Sequence, residues 1–174
     1  MKKSKKTAIS AILASLGTVI LYVGSLLEVL DISSACVVSF LVLFCLIELG
    51  AGYAIGVYAT VTVLSFIILP QKLPAFFFSL FFGLLPITKM YIERLGARTG
   101  VFICWLIKLA LFNGELIAFG FLAKELLELP DSTVIIALYI VLSNAMFVLV
   151  DILYGLLTRI YYGKFRNRIS KFLK

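Results

Sequence analysis

The side chains of this chain that could do chemistry are few, and each stands inside an otherwise apolar run. Glu48, Lys108, Glu115 and Asp151 are ionisable, and Asn113, Ser143 and Asn144 add neutral donors and acceptors. An ionisable group at mid-bilayer costs roughly 2.5–3.5 kcal/mol on insertion scales, so each needs a partner or a task. Lys108 and Asp151 have opposite charge and invite an ion pair, which either fixes helix packing or serves a function. Glu115 lies two helical turns from Lys108 on the same face, and no cation of the chain stands obviously at its depth. Joined by Asn113 or Asn144, it would line a small solute-binding cavity. The alternative is a protonated acid, or one that reaches toward the rim. Glu48 sits near a membrane boundary, where Lys89 and Arg94 are its expected partners in a polar cluster.

What is missing narrows the chemistry further. The chain has no histidine, which removes the usual metal ligand and the usual base at neutral pH. Cys36, Cys45 and Cys104 form no C-x-x-C pair and read as buried small hydrophobes. There is no phosphate-cradling G-x-x-x-x-G-K-[ST] loop, and no Ser/His or Cys/His set. The expectation is a protein that is no enzyme and uses no metal or cofactor. Any active transport would draw its energy from a partner or an ion gradient.

The elements that must position these groups follow from composition. Hydrophobic residues make up 63% of the chain, charged residues 14%, and the mean hydropathy is +1.14. That is more apolar surface than a chain of this size can hide from water. The apolar runs are long and show no alternation, so the backbone must satisfy itself as helices rather than as a barrel. With about 20 residues per crossing, one integral membrane domain over 1–174 divides into six spans: 8–30, 33–49, 51–69, 75–88, 101–123 and 132–157. Asp31 ends the first span, residues 70–74 form a turn with two prolines, and residues 89–99 form a charged loop. Lys108 then lies about 10 Å, and Asp151 about 9 Å, from the same membrane face at 1.5 Å rise per residue. The long first apolar run reads as a retained helix rather than a signal peptide.

Charge sets the orientation. Of the 16 Lys and Arg, Lys2, Lys3, Lys5, Lys6, Lys89, Arg94, Arg98, Arg159, Lys164, Arg166, Arg168, Lys171 and Lys174 fall on one side. Lys72 and Lys124 fall on the other. The asymmetry predicts a multi-pass plasma-membrane protein with both termini in the cytoplasm. The net charge of +7 is then topological and calls for no nucleic acid. The basic, amphipathic tail over 159–174 would lie on the anionic inner leaflet. On the first helix, Ser10 with Ala14 and Ala11 with Ser15 are small-xxx-small pairs. They suit either close internal packing or a face on which a partner docks.

This layout resembles the substrate-binding (S) components of energy-coupling factor vitamin transporters. The glycine-rich Leu49-Gly-Ala-Gly-Tyr-Ala-Ile-Gly56 looks like the corresponding region of those proteins. Phe81-Phe-Gly-Leu-Leu-Pro-Ile-Thr-Lys-Met-Tyr-Ile-Glu93, Trp105-Leu-Ile-Lys-Leu-Ala-Leu-Phe-Asn113 and Leu69-Pro-Gln-Lys72 resemble a family of small Gram-positive bacterial membrane proteins of similar layout, with no assigned substrate. The resemblance implies an all-α, six-helix bundle that binds a small metabolite in its outer half. It also implies a membrane coupling subunit with ATPases, and a small-residue first helix that docks on that subunit. The alternative is a non-catalytic scaffold, like the small multispan morphogenesis proteins of the cell-wall elongation machinery. In that reading every buried charge keeps register.

Reporter fusions after Lys174 and at Lys72 are expected on opposite sides of the membrane. Finding both on one side overturns the six-span topology.

Overall fold

A computed structural model describes residues 3–27, 29–126 and 133–165. Every regular element among them is helical: α1 (Lys3–Leu27), α2 (Asp31–Glu48), α3 (Ala51–Ile68), α4 (Leu73–Phe77), α5 (Leu85–Thr99), α6 (Val101–Leu126) and α7 (Thr133–Ile160). Two π-helical turns, Phe78–Phe82 and Tyr161–Phe165, follow α4 and α7. Among the described residues, six segments are long and apolar enough to cross a membrane: α1, α2, α3, Leu73–Leu95, Val101–Phe121 and Ile135–Gly163. The helices group into two compact units, residues 1–98 and 99–174.

In the first unit, α1 packs against α2 and α3. Its inward face repeats every three to four residues, through Leu13, Ala14, Gly17, Thr18, Leu21, Gly24 and Ser25. Lipid tails are as apolar as leucine, so helices in a bilayer associate through close van der Waals fit. The glycines supply that fit. A Cβ on Gly17 would stand 2.9 Å from Val38 Cγ1 and 3.2 Å from Val61 Cγ2, and one on Gly24 would collide with Ser34.

This packing corrects the proposed docking face on α1. Ala14 is only 4% exposed and belongs to the interior. Ala11 and Ser15 are exposed and Ser10 is half-buried. At 3.6 residues per turn the two small-xxx-small pairs fall on different stripes, one leaning inward and one outward. Ser10, Ala11, Ala14 and Ser15 therefore do not form one free surface.

Two boundaries also differ from expectation. Asp31 does not close the first helix but opens α2, where its carboxylate meets the positive end of the helix dipole. Residues 89–99 are not a loop but the continuation of α5. Lys89 Nζ and Glu93 Oε1 pair at 3.1 Å across one turn, which supports the helix despite its charge. The helix stops at Gly100, whose φ of +93° is cheap only for glycine. Gly50, with φ +100°, does the same between α2 and α3. Of the basic tail, residues 166–174 lie outside the described residues.

In the second unit α6 and α7 pack on each other. Cys104, Lys108 and Phe112 of α6, and Phe147, Val150, Asp151 and Tyr154 of α7, are buried.

Gly17→Ala should destabilise the protein by about 1–3 kcal/mol through overpacking against Val38 and Val61. Adding Val38→Ala should restore most of the loss in detergent denaturation. An unchanged midpoint for Gly17→Ala would mean that α1, α2 and α3 are not packed this closely.

Candidate functional site: a polar seam between α6 and α7

The seam follows from spacing. Lys108 and Phe112 lie one turn apart on one stripe of α6, and Asn113 follows Phe112 at once. On α7, Asn144, Phe147, Asp151 and Tyr154 follow one another at intervals of three, four and three. Two such stripes meet as layers.

In the first layer, Lys108 Nζ donates to both carboxylate oxygens of Asp151, at 3.1 and 3.2 Å. Lys108 is 7% and Asp151 4% exposed. The ammonium also stands 5.5 Å from the centroid of the Trp105 ring, which presents its negative face to the cation. The next layer is aromatic: Phe112 and Phe147 stack with centroids 4.5 Å apart and planes 21° from parallel.

The third layer is a pair of amides. Asn113 Nδ2 donates to Asn144 Oδ1 at 3.1 Å, and Asn144 Nδ2 donates to Asn113 Oδ1 at 3.2 Å. Each Nδ2 also donates to the carbonyl one turn back in its own helix, Leu109 at 2.8 Å and Ile140 at 2.9 Å. Both donors of each amide are therefore used. The two side chains close on each other instead of facing a cavity.

Glu115 does not join them. It is two residues from Asn113, so the two side chains leave α6 on different sides. It is half-buried, and among the described residues no hydrogen bond or ion pair reaches it. The structure thus brings together Lys108 with Asp151 and Asn113 with Asn144, but leaves Glu115 apart from the amides expected to share its pocket.

The expected cluster of Glu48, Lys89 and Arg94 lies in the first unit. Lys89 is buried and pairs with Glu93, its neighbour on α5. Arg94 is exposed on the same helix, and Glu48 is half-buried at the end of α2. Lys72, at the opposite end of that unit, donates from Nζ to the carbonyls of Phe66 at 2.9 Å and Leu69 at 2.6 Å. It thereby satisfies the last turn of α3, where a cation also complements the helix dipole. Among the described residues, no group of three or more Cys, Asp or Glu is placed to hold a metal ion.

One feature escaped the sequence reading. The fourth crossing, Leu73–Leu95, is not a single regular helix. It passes from α4 through the π-helical turn into Gly83 and Leu84, and only then into α5. Backbone carbonyls freed at such a break must find new donors in an apolar medium. Ser39 Oγ of α2 donates to the carbonyl of Phe82, and Tyr58 Oη of α3 donates to that of Ser79 at 2.9 Å. A Cβ on Gly83 would stand 2.6 Å from Tyr58 Cδ2, so a glycine is needed for this approach. Gly83 and Pro86 were the available signals, but both also suit a helix end.

No family model matches the chain, and no curated protein or solved structure is recognisably similar to it.

Lys108→Met alone should cost about 3–5 kcal/mol, because it leaves Asp151 buried and unpaired. Lys108→Met with Asp151→Leu should recover most of that loss. Asn113→Leu should cost less, about 1–2 kcal/mol, the scale of an interhelical hydrogen bond in a membrane. A double variant no more stable than Lys108→Met would refute the pairing.

Proposed function

We propose that the protein is a substrate-binding subunit of a plasma-membrane transporter, with the layout of an S component and both termini in the cytoplasm. It takes a small metabolite at Glu115 and is energised by a membrane coupling subunit with ATPases, since no nucleotide-binding loop is present in the chain. The observation that carries this reading is Glu115 itself. An intramembrane carboxylate that no described group satisfies needs water, a proton or a ligand to be tolerable. Glu115 lies past the midpoint of α6, on the outer side in this orientation. Asn113 and Asn144 hold α6 to α7 rather than lining the site.

The second reading, a non-catalytic scaffold, is favoured by a different observation. The ion pair and the amide pair are both closed within the α6–α7 hairpin. Closed pairs of this kind set helix register without binding anything.

Thermal stability of the detergent-purified protein across a panel of small metabolites separates the two. A ligand at a hundred times its Kd should stabilise the folded state by about 2.7 kcal/mol. The transporter reading expects at least one specific shift, lost in Glu115→Gln. A shift that persists in Glu115→Gln removes Glu115 from the site. A panel without a binder, with no co-purifying ATPase, leaves the scaffold reading ahead.

A further inference from the structure

One end of the first unit carries positive charge that its own residues do not balance. Lys3, Lys5 and Lys6 open α1, and no acidic side chain stands in that first turn. Among the described residues no carboxylate pairs with any of the three. Short turns join α1, α2 and α3, so α1 begins where α2 ends and α3 begins. Lys6 Nζ stands 5.7 Å from the centroid of the Tyr53 ring, in the first turn of α3, which ties Lys6 to that helix. The first turn of α3 carries no acid either. Glu48 is the last residue of α2, three before the start of α3, and Glu93 of α5 is bound by Lys89. Lys3 and Lys5 are exposed and Lys6 is half-buried.

Beside the lysines, α3 offers bare backbone. Gly52 and Gly56, one turn apart, are exposed, and nothing stands within 4 Å of where a Cβ would be. Ile55 and Val63 continue this flank as exposed apolar residues. A cationic cluster therefore sits at the water-facing end of a strip opened by two glycines, on a helix long and apolar enough to cross a bilayer.

We infer that this end of α1 and α3 binds an anionic phospholipid. Its phosphate meets Lys3 and Lys6, one turn apart on α1, Lys5 adds its charge beside them, and an acyl chain follows the Gly52–Gly56 flank of α3. Charge complementarity selects the headgroup, because a zwitterionic lipid has no net charge to offer the cluster. Each lysine near the surface is worth roughly a fivefold preference for anionic lipid. The strip selects a lipid over a soluble anion or an acidic protein, because it runs along the apolar face of a helix long enough to cross a bilayer. This inference needs only that the helices cross a membrane, and is independent of any solute at Glu115.

The test uses the full chain in nanodiscs containing both phosphatidylglycerol and phosphatidylcholine, released into native mass spectrometry. Wild type should retain phosphatidylglycerol preferentially, and high salt should erase the preference. Lys3→Gln, Lys5→Gln and Lys6→Gln together should lose it, whereas the matching Lys→Arg variant should keep it. Gly56→Leu should weaken retention of both lipids with the lysines intact. Soluble glycerol phosphate should fail to compete. Equal retention of the two lipids by wild type, or a preference that survives in the glutamine variant, overturns the inference. Competition by glycerol phosphate as effective as the lipid itself would also overturn it, by making the site one for a free anion.

Discussion

An apolar medium offers no partner to a peptide group, and this constraint shapes nearly every local feature of the chain. In water a frayed carbonyl or a stray hydroxyl is hydrated at little cost. In hydrocarbon it must be met by the protein. The buried hydroxyls of the first unit mostly turn back on their own helix. Thr18 donates to the Ala14 carbonyl, Ser25 to Tyr22 and Ser34 to Asp31. Lys72 closes the end of α3 with its ammonium. Thr62 and Ser65 stand as exceptions, with hydroxyl oxygens buried without a partner.

The same constraint explains why the fourth crossing can break at its centre. A change from α-helical to π-helical bonding frees carbonyls that only neighbouring helices can satisfy. Ser39 and Tyr58 reach them from α2 and α3. The break is therefore a property of three helices together. Gly83 makes it sterically possible by letting Tyr58 lie against bare backbone. Irregular backbone at membrane depth survives only where protein or a cavity surrounds it, and here Phe78, Phe81 and Phe82 are buried.

The α6–α7 hairpin shows the constraint acting on side chains. A lone lysine, aspartate or asparagine in either helix would be costly. Placed in facing layers, they become a bidentate ion pair, an aromatic stack and a reciprocal amide pair. These fix the register between two helices whose remaining faces are largely exposed and apolar. Glu115 stands outside that arrangement. It is the group whose cost the described residues do not explain, and so the functional proposal rests on it.

Hydropathy alone determined the helical class and six segments long and apolar enough to cross a membrane, and residue counting put Lys108 and Asp151 at matching levels of neighbouring helices. Each depends on counts along a single chain and on a bilayer of known thickness. What the sequence could not decide was which side of a helix faces which neighbour. Ser10, Ala11, Ala14 and Ser15 look alike as small residues, and only the packing of α1 on α2 and α3 turned Ala14 inward. Asn113 and Asn144 were both expected beside Glu115. Two residues along a helix is just over half a turn, and the structure gave the amide a partner on α7 while leaving the acid aside. The charged stretch over 89–99 read as a loop because its polarity was legible. The Lys89–Glu93 pair that keeps it helical forms only once the chain has coiled. Tertiary structure decided these points because hydrogen bonds and close contacts depend on direction, whereas hydropathy depends on composition.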